Sequence, residues 1–324
     1  MRVFLAAFAI LLFALSVSVF AQEQASDLDE CQVSYLFNAW ARPTTGERPT
    51  SAVYGQLVNI GVMHDTLIAA RTDAAEIAEL HEMVVGEDDV MRMRQVEGGF
   101  VVPPNSFLEL RPGGLHIMLI NPTRTLMETE SIEVTLVFER AGEVQITVPI
   151  RSEDGMTMHA ELDDMAMHAG SEEPMMPTNY FGERCAAVYF LDPWVRASIP
   201  GAPNSAAFGL LVNLSDTEDA LVAVDTEISQ VAELHEMVMG SGDVMQMREI
   251  EGGITIPERG AALLRPGGLH IMLINLNEPL APGDKIAFTL SFMQSDEVTL
   301  VAPVREVQAQ GMMPHSAPMT GHGS

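Results

Sequence analysis

Leu-Arg-Pro-Gly-Gly-Leu-His-Ile-Met-Leu-Ile-Asn, residues 110–121, returns unchanged at 264–275. Pro-Gly-Gly is turn punctuation, and the run after it is too short for a buried helix and rich in branched residues, so it reads as a strand. The words around it return as well. Ala-Glu-Leu-His-Glu-Met-Val (78–84) recurs at 232–238, and Val-Met-Arg-Met-Arg (90–94) has its counterpart at 244–248. The offset is always 264 − 110 = 154, and Cys31/Cys185, Trp40/Trp194, Pro103/Pro257 and Phe138/Phe292 obey it too. Two copies of one domain follow.

Inside each copy the pattern has period two. Ala52–Asn59, Ser106–Leu110, Leu115–Ile120 and Ile132–Phe138 read as strands, separated by Gly98-Gly99, Pro103-Pro104, Pro112-Gly113-Gly114 and Ala141-Gly142. No amphipathic helix of useful length interrupts them. Many short strands with this spacing predict an all-β chain of two antiparallel sandwiches of Greek-key type. The domains are placed at 30–151 and 180–305, with a flexible, acidic, Met/His-rich linker at 152–179 and a disordered tail at 306–324.

Met1 and Arg2 precede an apolar run from Val3 to Phe20, so residues 1–21 read as a cleavable export signal, with an uncleaved membrane anchor as the alternative. No Cys follows directly, and lipid attachment there is not expected. With Asp+Glu 45 against Lys+Arg 17 and a formal charge of −28, neither nucleic acid nor an anionic membrane surface is a fitting partner. Cations and basic partners are favoured, in the periplasm or another extracytoplasmic space. The chain has two cysteines, one per copy. In an oxidising compartment Cys31 and Cys185 either bridge the two first strands or stay as two half-buried thiols.

The repeated positions hold His and Met, the donor set of a soft cation and above all of Cu(I). In a strand, residues two apart share a face, which pairs His81 with Met83, Met91 with Met93, and His116 with Met118. Their copies are His235 with Met237, Met245 with Met247, and His270 with Met272. Met often fills core gaps and a single His is usually ordinary. Recurrence of the whole set argues for chemistry. The linker adds Met156, Met158, His159, Met165, Met167, His168, Met175 and Met176, and the tail adds Met312, Met313, His315, Met319 and His322.

At these residues the chain resembles the periplasmic copper chaperones of the PCuA(C) type. Their signature is His, about ten residues, Met, about twenty-one residues, and His-x-Met. Further likeness lies in Asn38-Ala39-Trp40-Ala41-Arg42, Ala52-Val53-Tyr54 and Arg111-Pro112-Gly113-Gly114-Leu115-His116-Ile117-Met118-Leu119. The resemblance implies a cupredoxin-like sandwich and one Cu(I) per domain. It implies as ligands His81, Met93, His116 and Met118, then His235, Met247, His270 and Met272. Both gaps here are one residue longer than the signature, which leaves Met91 and Met245 as rival ligands. It further implies delivery of copper to the CuA subunit of cytochrome c oxidase, with a Sco-type thiol protein as a second partner.

Other functions use these residues less well. A zinc hydrolase would recruit His/Asp/Glu ligands and a general base such as Glu82 or Glu236. A blue-copper electron carrier would need a Cys beside the His-x-Met strand. A sequestration protein without a delivery partner would use the same donors as a chaperone, so no enzymatic role is expected. The linker and tail donors are read as weak collectors of copper, including Cu(II), that feed the folded sites. Deleting residues 309–324 is expected to reduce weakly bound copper and slow loading while leaving two tight sites; unchanged loading rate and stoichiometry would contradict it.

Overall fold

The computed structural model describes residues 31–44, 50–86, 89–152, 185–199, 201–240 and 244–306. The export signal, nearly all of the linker, and the tail with Met312, Met313, His315, Met319 and His322 lie outside the described residues.

The first repeat contributes β1 (Val33–Ala41), β2 (Thr50–Ile60), β3 (Asp65–Arg71), β4 (Ala75–Val85), β5 (Met91–Gln95), β6 (Phe100–Val102), β7 (Ser106–Leu110), β8 (His116–Pro122), β9 (Ser131–Phe138) and β10 (Gly142–Pro149). One sheet runs β1-β2-β8-β4-β5, with β7 also on β2; the other runs β10-β9-β3-β6. Because β2 to β3, β3 to β4 and β8 to β9 all change sheets, the connections are of Greek-key type and bury one face of each sheet against the other. First and last strands meet in parallel at Ala41 and Ile150, joining the two sheets along one edge.

The second repeat repeats this plan with β11 (Val188–Arg196), β12 (Ser205–Asn213), β13 (Asp219–Asp225), β14 (Ser229–Met239), β15 (Met245–Glu249), β16 (Ile254–Ile256), β17 (Ala261–Leu264), β18 (His270–Leu276), β19 (Lys285–Phe292) and β20 (Val298–Arg305). Here the parallel contact is longer, Val195 with Val304 and Arg196 with Arg305, and it unites the two sheets into one continuous path. No helix occurs among the described residues. The all-β, two-sandwich architecture read from the sequence is the one observed.

Alternation sets the faces. On β8, Ile117 and Leu119 are fully buried between the sheets, so His116 and Met118 stand on the outer face. The turn that aims them is built by Arg111-Pro112-Gly113-Gly114: Gly114 N–H donates to the Arg111 carbonyl (3.0 Å), and Gly113 has φ 73°. Pro at the second position and a positive φ at the third are what a type II turn demands.

β2 departs from simple alternation, because ten of its eleven residues are buried, and every residue of β12 is. The reason is the other repeat. Tyr189, Leu191, Leu210, Val212, Leu214 and Ala261 pack into the core cluster of the first repeat, while their neighbours Val188, Phe190 and Leu211 fill the core of the second. Both faces of these strands are therefore covered, the outer face of β2 by the other repeat at the Gln56 end and by Trp40 of its own repeat at the Ala52 and Tyr54 end. A bulge in β1 between Phe37 and Trp40 puts Asn38 at φ 49°, a left-handed conformation Asn tolerates. Its amide donates to the Gln56 side chain and across to the Ala261 carbonyl (both 2.9 Å). Arg265 pairs with Glu109 at 3.3 Å on the same seam.

Cys31 and Cys185 form a disulfide, with Cα atoms 4.9 Å apart. The contact between repeats is reciprocal: Asn38 donates to the Ala261 carbonyl while its equivalent, Asp192, donates its N–H to the Asn105 carbonyl, so the repeats pack approximately isologously, outer sheet face to outer sheet face. The bridge closes a separation of 154 residues. In the chain-entropy view such a loop adds about 4–5 kcal/mol by restricting the unfolded chain. Changing both cysteines to Ser is expected to lower the urea midpoint accordingly, and denatured, unreduced protein is expected to show no titratable thiol; two free thiols per chain would refute the bridge.

Candidate metal site

The outer face of the first sheet carries a patch separate from the main core. Trp40, Ala52 and Tyr54 form a small buried cluster there, with the Trp40 and Tyr54 rings 4.6 Å apart. Tyr54 is followed by His116 at 6.2 Å and His116 by His81 at 5.8 Å. The second repeat repeats the chain of rings as Trp194, Phe208, His270 and His235, at 4.6, 6.3 and 5.7 Å. This aromatic cover explains how imidazoles on an outward face become buried: His116 is only 4% exposed, His270 6% and His235 8%.

Register brings the donors together. His81 on β4 lies directly opposite His116 on β8, and His235 opposite His270. Met83 pairs with Met93 across β4 and β5, and Met237 with Met247. Met118 sits two residues along from His116, flanked by Glu79 and Ala52. Directly paired residues share a face, so the two His, Met83, Met91, Met93 and Met118 all project from one side. Met91 pairs with Val85 and Met245 with Met239, one step farther from the His pair than Met93 and Met247.

In the second repeat the Met247 sulfur lies 3.2 Å from His270 Nε2. His270 Nδ1 faces the Gly268 carbonyl at 2.9 Å, and His116 Nδ1 faces Gly114 at 3.0 Å. A neutral imidazole has one N–H, and the carbonyl, which can only accept, fixes it on Nδ1. Nε2 is thus a bare lone pair, and a thioether has no proton to give. Their approach is a convergence of two electron-pair donors. Its length is close to the ~3.5 Å edge expected for nitrogen at about 2.0 Å and sulfur at about 2.3 Å from one tetrahedral ion.

His81 and His235 are held the other way round. Nε2 of each lies 2.9 Å from a carboxylate oxygen, of Glu79 and Glu233 respectively. Nδ1 of each is buried with no hydrogen-bond partner. Buried acceptors are seldom left unpaired, since the loss of hydration costs about 1–3 kcal/mol. A cation bound at that nitrogen removes the deficit.

Glu79 and Glu233 were not legible as site residues, although they lie two residues before His81 and His235 and so share their face. Glu82 and Glu236 lie on the opposite face, where each is paired with an arginine, Arg94 and Arg248, at 2.5 Å. They are badly placed as general bases beside the His pair. Both cysteines are in the disulfide, so no thiolate is available for a blue-copper centre. Among the described residues no three His, Cys, Asp or Glu side chains gather as a metal cluster; the other soft donors on this face are the thioethers.

The fold and this duplicated face define a two-repeat β-sandwich protein with a facing His pair and thioethers on each repeat. The chain belongs to the LpqE-like family, described as "Putative lipoprotein LpqE-like", whose model matches residues 35–150 and again 188–304. A relative named "Putative lipoprotein Lxx21020", from Leifsonia xyli subsp. xyli, is 33% identical over 125 residues, covering 39% of this chain and 74% of its own. The uncharacterized protein RP573 of Rickettsia prowazekii is 26% identical over 138 residues, covering 41% and 76%. Similar solved structures include a copper-bound PCuAC domain from PmoF2, 24% identical, covering 37% of this chain and 93% of its own with a TM-score of 0.32. Another is Cu(I)-DR1885 of Deinococcus radiodurans, 30% identical, covering 36% and 76% with a TM-score of 0.31.

Burial pushes the His116 imidazole below its ordinary 6.5, His81 and Arg42 add to this, and the Gly114 hydrogen bond opposes it. His270 is lowered in the same way by burial, with His235 and Arg196 adding and Gly268 opposing. Both rings therefore stay neutral, as metal ligation requires. For the metal-free protein the sign is fixed: below about 6.5 the unfolded chain binds more protons than the folded one, so stability is complete above that pH and falls as the pH drops from it towards the folded values. Urea midpoints measured against pH should show this decline, and it should be shallower in His116→Gln/His270→Gln. An equal decline in that variant would assign the pH dependence to other groups.

Proposed function

We propose that this protein is an extracytoplasmic Cu(I) carrier with one site per repeat. The sites are formed by His81, Met93, His116 and Met118 and by His235, Met247, His270 and Met272. The observation that carries the reading is the approach of the Met247 sulfur to the bare Nε2 of His270, two soft donors meeting with no proton between them. Four neutral donors of this kind leave the cation its single positive charge and suit Cu(I) better than zinc. Thioethers and imidazoles also hold copper without the thiolate that an oxidising compartment would consume.

Passage of the ion to another protein is favoured over permanent storage by one feature. His116, His235 and His270 are buried and His81 is half-buried, whereas Met93 and Met247 are 47% and 48% exposed, on strands at the sheet edge. An incoming ligand can displace such a sulfur while the imidazoles still hold the ion. The acceptor implied by the sequence resemblance, the CuA subunit of cytochrome c oxidase with a Sco-type partner, is the first to test. Export is part of the proposal: the family and one relative are named as putative lipoproteins, and a disulfide fits an oxidising compartment. In this chain neither cysteine offers a free thiol for acylation.

After challenge with a competing Cu(I) chelator the protein is expected to retain two copper ions, one per repeat. Met118→Ala should weaken the first site and spare the second, since the sites share no ligand. A single retained ion, equal weakening of both sites, or an X-ray absorption spectrum without sulfur scattering would overturn the assignment. Mixed with an apo-CuA domain, the loaded protein should lose copper to it; copper that stays put would favour sequestration.

A further inference from the structure

The two imidazoles of each site are anchored by different groups on different ring atoms. His116 and His270 turn Nδ1 to a backbone carbonyl, of Gly114 and Gly268, at 3.0 and 2.9 Å. His81 and His235 turn Nε2 to a carboxylate, of Glu79 and Glu233, at 2.9 Å. Each carboxylate stands two residues before its histidine on the same strand, so the pleat alone delivers it to the same face. The same arrangement, with the same distance, occurs in both repeats.

We propose that Glu79 and Glu233 are positioning residues that hold the proton of His81 and His235 on Nε2, so that these rings present Nδ1 to the ion while His116 and His270 present Nε2. The reasoning is one of proton count. A carboxylate only accepts, so its partner nitrogen must be the N–H, and a neutral ring then has a lone pair only at the other nitrogen. In His81 and His235 that other nitrogen is the buried Nδ1 with no partner, and three side-chain atoms in all are so stranded among the described residues. The carboxylate has two effects. It freezes the ring against flipping, and it makes the opposite nitrogen a stronger donor. Nδ1 lies nearer the backbone than Nε2, so using it on β4 and β14 sets the ion close to those strands, with Nε2 of the facing ring reaching across.

This inference rests on the reading of the His/Met face as a Cu(I) site, and the test separates the two. In the full-length, metal-free protein, long-range proton–nitrogen NMR of the imidazoles is expected to show His81 and His235 with the proton on Nε2 and His116 and His270 with it on Nδ1. In Glu79→Ala, His81 should become a mixture of tautomers, while Glu79→Gln, whose carbonyl still accepts, should keep the proton on Nε2. On adding Cu(I), the nitrogen shift should move at Nδ1 of His81 and at Nε2 of His116. Glu79→Ala should weaken the first site roughly 10–100-fold and leave the second unchanged, with Glu233→Ala the mirror case. Glu79→Gln should recover most of the loss. Wild-type His81 protonated on Nδ1, or an unchanged tautomer and affinity in Glu79→Ala, overturns this proposal alone. Wild-type protein that takes up no Cu(I) at either His pair overturns the site reading as well.

Discussion

The pleat of β8 and of its copy β18 is the constraint on which the rest depends. Ile117 and Leu119 enter the core, and so His116 and Met118 must leave it. A one-residue slip would bury a histidine between the sheets and expose two aliphatic side chains, which makes the register hard to lose. The type II turn at Pro112-Gly113 then supplies the Gly114 carbonyl that fixes the His116 ring. Chain direction, ring orientation and choice of lone pair follow from twelve consecutive residues.

An outward-facing site would ordinarily be wet, and wet imidazoles protonate near neutral pH. Here the small cluster of Trp40, Ala52 and Tyr54 covers one flank of His116, and burial lowers its proton affinity. The second repeat has Phe208 where the first has Tyr54, and the ring spacings hardly change, so the cover works by bulk and not by the hydroxyl. The thioethers at the sheet edge stay exposed. The result is a gradient of access across each site, from closed imidazoles to an open sulfur.

The same outer face that bears the sites also joins the repeats. Along β2, Gln56 is tied through Asn38 to Ala261 of the second repeat, while Tyr54 and Ala52, farther along the same face, lead to the histidines. Two copies packed about an approximate two-fold axis thus shield the apolar ends of each other's sheets and leave the donor-bearing ends free. The donors proposed for each site lie wholly on that repeat's own strands, which is why substitutions in one are expected to spare the other.

The sequence by itself determined the duplication, the all-β class, the strands that carry the donors and the pairing of His and Met at period two. These are local properties, set by side-chain alternation and turn chemistry, and an unbroken offset makes them legible twice. Only the tertiary structure decided what depends on distance between strands. Met93 and Met247 stand nearer the histidines than Met91 and Met245 because of cross-strand register, which no spacing along one strand reveals. Alternation already places Glu79 and Glu233 on the histidine face, but only the fold closes their carboxylates onto the rings at 2.9 Å. The bridge between Cys31 and Cys185 and the doubly buried β2 and β12 follow from the packing of one repeat on the other. A repeat's sequence specifies its own sandwich, but it does not announce which of its faces a second copy will cover.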